Sequence, residues 1–341
     1  MGDRVERATM RDVAALAGVS IKTVSRVVND EPGVAEPVRV RVQEAVGRLA
    51  YRHHLAASNL RRGASRSGLI GALLQDVSNS FSAALLRSLE DAMRARGTAI
   101  LSASLDEEPD RERALVHDLV TRRVDGLVLM PSTDRQDYLS SEMRAGLPVV
   151  LVDREPSGIA ADSVTVENTE GARMGAEHLL AQGHRRIAAL IDLPGIYTAR
   201  HRLEGFADAH RSRGIHPDER LTVTGLRGAE AGEQAVTRLL DLDRPPTAIF
   251  AGRNDLAQGA ARALRRRGLS ESVALVGFDD FPLADLLTPP LTVIRQDVVR
   301  IGRLTADLLV ARLDGDVSPP QRVVVEPTLV VRGSGEIPPP A

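Results

Sequence analysis

The chain has 341 residues, 43% of them hydrophobic, which is ample for globular folding and too long for one ordinary core, so two or three domains are expected. It contains no cysteine, which excludes disulfides, thiolate nucleophiles and cysteine-based zinc sites; the start Met1-Gly2-Asp3-Arg4 lacks the apolar core of a signal peptide, and no apolar run approaches the roughly 20 residues that span a bilayer, so a cytoplasmic protein without a membrane partner is expected. The net charge of -2 conceals an asymmetry: the first 65 residues carry 11 Lys and Arg against 7 Asp and Glu, the remainder 33 against 39, and a basic head on an acidic body favours a polyanionic partner for the head.

Residues 9–50 read as three short helices with no strand signal. Thr9 caps the first, with Asp12 in the capping-box place and Val13, Ala14, Leu16 and Ala17 as its apolar face, and Gly18 breaks it. Ser20 caps the second, Ile21 to Asn29, whose Val24, Val27 and Val28 pack inward while Lys22, Arg26 and Asn29 point outward. A third helix follows Pro37 and turns Val38, Val42, Ala45, Val46 and Leu49 to the core. Residues 52–67, rich in His, Ala, Arg and Ser, mark a linker, within which Leu55 to Arg62 suits one or two helical turns that need a partner to stay folded.

From Gly68 onward, short apolar runs alternate with amphipathic helices. The runs begin at Leu69, Ala99, Gly126, Pro148, Ile187, Leu221, Thr247 and Val273; the helical stretches between them include Ala83 to Arg96, Glu170 to Gln182, Arg200 to Arg213 and Asp255 to Gly268. Continuous apolar strands separated by helices indicate parallel sheets covered on both faces, and this many strands suggests two doubly wound subdomains with a ligand cleft at the strands' carboxyl ends.

The run Asp12 to Asn29, together with Leu49-Ala50-Tyr51, resembles the helix-turn-helix of the LacI/GalR family of transcriptional repressors almost position for position. The resemblance implies a small all-α head (residues 1–51) joined by a hinge helix (52–67) to an α/β effector domain (68–341) of two doubly wound parallel-sheet subdomains. Their expected extents are about 68–166 with 296–326, and about 167–295 with 327–333. It implies a homodimer on a pseudo-palindromic DNA operator, with an effector controlling its grip. A recognition helix in the major groove then has Ile21, Lys22 and Arg26 reading bases while Ser20, Thr23, Ser25 and Asn29 hold the backbone, supported by Tyr51. Lys22 is the only lysine in the chain. In the hinge, which resembles the family's over Ala56 to Arg61, Ala57 and Leu60 contact DNA, Leu60 as a minor-groove wedge. His53 and His54 stand where relatives carry Pro and Asn, which leaves the hinge helix less preorganised and makes operator affinity pH-dependent below about 7.

In the body, Arg202 to Phe206, Asn254-Asp255, Gly277 to Asp280 and Ile294 to Asp297 resemble the family's pocket motifs. They imply Arg202, Asn254, Asp279 and Gln296 as effector contacts, with Asn79, Phe81, Asp153 and Thr198 around them. Planar polar groups at strand ends suit vicinal hydroxyls, so a sugar-like inducer is expected, with a purine-type corepressor as the alternative. Arg227, placed where relatives often carry an aromatic, would together with Arg202 favour an acidic or phosphorylated sugar. The body also resembles periplasmic sugar-binding proteins, so a solute receptor is the alternative of another class. An enzyme would need a nucleophile elbow, a P-loop, a dinucleotide fingerprint or metal-ligand spacing; the sequence contains none of these, so no catalytic residue, metal or cofactor is expected.

Overall fold

The structure, a computed structural model, describes residues 8–29, 31–51 and 67–340. It divides into two compact units, Met1–Ser67 and Gly68–Ala341. The expected hinge, with His53, His54, Ala57 and Leu60, lies outside the described residues.

The small unit is helical. Helix α1 (Met10–Ala17) starts at a reciprocal capping box: Thr9 N–H donates to Asp12 at 2.7 Å, and Asp12 N–H donates back to Thr9 Oγ1 at 3.4 Å. The Thr9 hydrogen bonds hold the Asp12 carboxyl below its ordinary range. Gly18, at φ 65°, closes the helix in the left-handed conformation that glycine adopts without strain. Helix α2 (Ile21–Val28) begins where Ser20 Oγ accepts from Thr23 N–H at 3.1 Å, and α3 (Glu36–Arg48) takes Pro37 into its first turn where the helix was expected to begin only after it. Val13, Ala14, Ala17, Val24, Val27, Val42 and Ala45 form the core. Leu16 departs from expectation: it is 47% exposed, because the inward stripe of α1 runs through Val13, Ala14 and Ala17, and position 16 lies roughly 100° around the helix from its centre.

The large unit holds two six-stranded sheets. The strands, in chain order, are β1 (Leu69–Leu74), β2 (Ala99–Ser104), β3 (Gly126–Leu129), β4 (Val149–Val152), β5 (Asp162–Val166), β6 (Ile187–Leu190), β7 (Thr222–Val223), β8 (Ala248–Ala251), β9 (Ala274–Phe278), β10 (Thr292–Arg295), β11 (Arg322–Val325) and β12 (Thr328–Val330). The first sheet runs β11-β5-β4-β3-β1-β2 and the second β12-β10-β9-β8-β6-β7, so the same winding occurs twice. All pairs are parallel except β10 with β12, which are antiparallel. The exception has a simple cause: β10 leaves the second sheet for the first, whereas β12 arrives from it, so the two must run in opposite directions.

Helices cover both faces of each sheet, as parallel strands require. Helices α4 (Ser80–Arg94) and α11 (Val298–Leu313) pack on one face of the first sheet through Leu85, Leu89, Ile301 and Leu309, and α5 (Pro109–Thr121) covers the other through Val116 and Leu119; the short α6 (Ser140–Arg144) lies between β3 and β4. On the second sheet, α7 (Asn168–Ala181) and α8 (Tyr197–Ser212) share a core with Phe250 and Phe278, opposite α9 (Gly228–Leu240) and α10 (Asn254–Arg267). Helices α7 and α8 meet at Gly205, where a Cβ would lie 2.0 Å from the Thr169 carbonyl oxygen, so only glycine permits that approach. After β12, the chain stays on the second sheet: Ser334 Oγ donates to the Leu275 carbonyl at 2.5 Å and accepts from Thr292 N–H at 2.8 Å.

The chain passes between sheets three times, after β5, after β10 and after β11, always at the β5/β11 and β10/β12 side. The opposite side, at β2 and β7, carries no crossing. Among the described residues, no helix is long and apolar enough to cross a membrane.

Candidate functional site

On the small unit, the fold turns one face of α2 outward. Burial of Val24 and Val27 fixes the helix's rotation and leaves Ile21, Lys22 and Arg26 exposed. Around them the short polar side chains pair: Ser20 Oγ lies 2.9 Å from Thr23 Oγ1, and Asn29 Nδ2 donates to the Ser25 carbonyl at 2.6 Å and to its Oγ at 3.2 Å. These bonds hold hydroxyls and an amide beside the exposed cation pair. Tyr51 is half-buried against the three-helix core. Ala57 and Leu60 are outside the described residues.

On the large unit, the strand ends of both sheets converge on a cavity lined by Asn79, Phe81, Asp153, Thr198, Arg202, Asn254, Asp279 and Gln296, eight of the nine effector candidates. Arg227 is the ninth. It sits half-exposed after β7 and faces Glu108 at 3.4 Å instead of the cavity. Glu107, Arg154, Asp192 and Arg253 also line the cavity and were missed. Their signal was present in the sequence, since Arg154, Asp192 and Arg253 each follow within two residues of a strand's carboxyl end, where a doubly wound sheet places its ligand groups.

Arg202, on the second turn of α8, is 5% exposed and is held through its Nε and Nη1. Its Nε donates to Asn168 Oδ1 at 2.8 Å, its Nη1 donates to the Gly252 carbonyl at 2.8 Å and lies 3.3 Å from Asp279 Oδ2, and its guanidinium rests over the Phe278 ring, 3.8 Å from the centroid. Asp279 accepts a further bond from Gln296 Nε2 at 2.5 Å. Arg154 forms a two-pronged pair with Glu107 at 2.8 and 2.5 Å and donates to the Pro131 carbonyl. Arg253 pairs with Asp192 and lies 3.2 Å from Asp255.

The two subdomains touch directly at the cavity wall. Asn79, the N-cap of α4, exchanges amide hydrogen bonds with Asn254 at 2.9 and 3.1 Å, and Asn254 also donates to Ser80 Oγ at 3.0 Å. Asp153 is the outlier of the set. Burial pushes its carboxyl up, against the pull of Arg202 and then Arg154, and its Oδ1 has no hydrogen-bond partner among the described residues; Gln296 Oε1 and Arg154 Nε are unpartnered in the same way. The arrangement contains no nucleophile poised beside a base. It can hold a small molecule by directed hydrogen bonds between two bodies joined along one side.

Two family models match the chain, one described as bacterial regulatory proteins, lacI family, over residues 9–53, and one as a periplasmic binding protein-like domain over residues 176–335. The ribose operon repressor of Escherichia coli (strain K12) is 32% identical over 330 residues, covering 96% of this chain and 99% of that protein. Among solved structures, the lac repressor dimer bound to operator and the anti-inducer ONPF is 28% identical with a TM-score of 0.83, covering 97% of this chain and 99% of that one. The complex of the transcriptional regulator CelR with cellobiose is 31% identical with a TM-score of 0.71, covering 96% and 100%.

Proposed function

The chain belongs to the LacI family of bacterial regulatory proteins, and from that premise we propose that it is a cytoplasmic homodimeric repressor that grips a pseudo-palindromic operator through α2 and is released by a sugar-like effector bound in the cavity. Residues 1–51 serve as the reading head, 52–67 as the hinge and 68–341 as the effector domain, and no catalytic step is involved. The observation that carries this is the outward face of α2: a buried valine stripe on one side and Ile21, Lys22 and Arg26 exposed on the other, flanked by short hydrogen-bonding side chains. Lys22 and Arg26 suit guanine O6 and N7, Ile21 suits a thymine methyl, and Ser20, Thr23, Ser25 and Asn29 suit phosphates.

The effector half of the reading is supported by the planar polar groups in the cavity and by the cellobiose held in the similar regulator CelR. The open volume at the cavity's centre is about 40 Å³, roughly three water positions, so a sugar ring enters as the subdomains part along their uncrossed side. A ligand that binds one spacing of the subdomains better than another shifts the population that grips DNA, and about 1.4 kcal/mol of such preference is tenfold in affinity.

Fluorescence anisotropy on a pseudo-palindrome selected from random duplex tests the proposal. Lys22→Ala should weaken binding to the selected site by about 10- to 100-fold, the worth of a base contact, with little change on random duplex. Equal losses on both DNAs, or no loss, would sink the reading role of α2. Addition of a bound sugar should lower operator affinity; a purine that raises it would favour the corepressor alternative.

A further inference from the structure

Building on the proposed effector cavity, we infer that its ligand is an aminated sugar, which presents a protonated amine to Asp153, and that acidic and phosphorylated sugars are turned away. Four carboxylates line the cavity against three guanidiniums. Every guanidinium has its carboxylate: Arg202 has Asp279, Arg154 has Glu107, and Arg253 has Asp192, with Asp255 beside it as a further negative charge. Asp153 is the carboxylate left over.

Arg154 is nearest to it, yet its Nε stands 3.9 Å from Asp153 Oδ2, beyond hydrogen-bond reach, while its two terminal nitrogens are held by Glu107 and Pro131. Among the fully buried polar atoms of the cavity wall, two acceptors, Asp153 Oδ1 and Gln296 Oε1, and one donor, Arg154 Nε, have no partner. A phosphate or carboxylate needs several donors and would add negative charge to a buried excess of it. An ammonium on a polyol frame supplies donors and the missing positive charge together. Burial already pushes the Asp153 carboxyl up against the pull of Arg202 and Arg154, so an arriving cation relieves a cost that the free protein bears.

The expectation of an acidic sugar rested on Arg227 and Arg202 as positive charges in the cavity, and neither supplies an unpaired one. Arg227 points to Glu108 at the rim, and Arg202 donates to Asn168, Gly252 and Asp279.

The test is isothermal titration of the full chain with glucosamine, N-acetylglucosamine, glucose, glucuronate and glucose 6-phosphate, and with the galacto and manno counterparts. In the series whose stereochemistry fits, the amine should bind at least about tenfold more tightly than the neutral and N-acetyl members, a charge-assisted bond replacing a neutral one, and the acids should not bind. Asp153→Asn should bring the amine down to the neutral sugar. A neutral, N-acetylated or acidic member that binds as tightly as the amine overturns the inference and leaves the carbohydrate reading standing, as does a preference for the amine that survives Asp153→Asn. Failure of every carbohydrate to bind, while purine bases or nucleosides do, overturns the carbohydrate reading itself and this inference with it.

Discussion

The two subdomains of the large unit are built on one plan and use it differently. In each, an aspartate follows the fourth strand of the winding, Asp153 after β4 and Asp279 after β9. Both adopt the left-handed backbone, with φ of 66° and 71°, and each N–H donates to the neighbouring strand at 2.8 Å, to Val164 and Ile294 respectively. A non-glycine residue in that conformation costs about 1–2 kcal/mol and persists where its surroundings hold it. There the likeness stops. Asp279 is saturated by Arg202 and Gln296, whereas Asp153 keeps an oxygen free. One side of the cleft is a fixed anchor and the other an open acceptor, a division of labour that lets a rigid wall orient a ligand while a single group discriminates its charge.

Breaking the anchor should have the largest effect. Arg202→Leu removes the counter-charge of Asp279 and strips the Asn168 and Gly252 oxygens of a donor, all within the buried wall, and should destabilise the large unit by about 3–5 kcal/mol in urea denaturation. Arg202→Lys should recover little, because a single ammonium cannot reach three acceptors in the guanidinium's plane. A loss below about 1 kcal/mol would mean that the anchor is held by something else.

The packing behind the anchor gives the next effect. Gly205 lies one turn beyond Arg202 on α8, and a methyl there would strike the Thr169 carbonyl on α7. Gly205→Ala should cost about 1–3 kcal/mol and, by tilting α8, loosen ligand binding with it. An alanine variant as stable as the parent would show that the two helices have room to part.

Much of this plan was legible in the sequence. Eight of the twelve strands were readable as apolar runs, and Arg202, Asn254, Asp279 and Gln296 could be placed because their segments resemble the family's pocket motifs, with Asn79 and Asp153 around them. The four strands missed, β5, β10, β11 and β12, are those at the crossing side. Of these, β5 reads Asp-Ser-Val-Thr-Val, with polar residues buried by tertiary partners: Asp162, at its start, is held by Arg312 at 2.7 and 3.0 Å, 150 residues away. The same distance in sequence hid the charge pairing. The place of Arg154 two residues past β4 marks it as a ligand-group candidate, but nothing local shows that it reaches Glu107 across 47 positions or that Arg227 reaches out to the rim. Leu16 was misplaced for a different reason, since an eight-residue helix offers too few turns to centre its apolar stripe.

The open acceptor should show itself through pH. Burial raises the Asp153 carboxyl in the folded state above its unfolded value, so the folded protein holds that proton more tightly. Stability then declines as pH rises from the unfolded value through the folded one, since a buried, uncompensated charge appears on the folded side only. Asp153→Asn carries no such charge. Without ligand, its melting temperature should match the parent's below about pH 4 and exceed it modestly toward neutrality. The opposite sign at pH 7 would show that Arg202 and Arg154 already compensate the carboxylate, and would place the two aspartates in the same class.

The smallest effect concerns the side of the cleft where no chain crosses. Arg227 and Glu108 belong to opposite subdomains, lie 3.4 Å apart and are more than half exposed, so their pair contributes at most about 1 kcal/mol to stability. Their position gives that small energy a kinetic role. A contact at the free edge must break whenever the subdomains separate, while the Asn79–Asn254 exchange deeper in the wall is closer to the ligand. Arg227→Ala should leave the urea midpoint nearly unchanged and quicken both entry and release of a bound sugar by a few-fold in stopped-flow traces, with the parent rates approaching the variant's as salt is raised. Charge reversal at both positions should restore the parent rates, whereas either reversal alone should quicken exchange further. Rates that ignore all three variants would assign the closing of the cleft to its inner contacts alone.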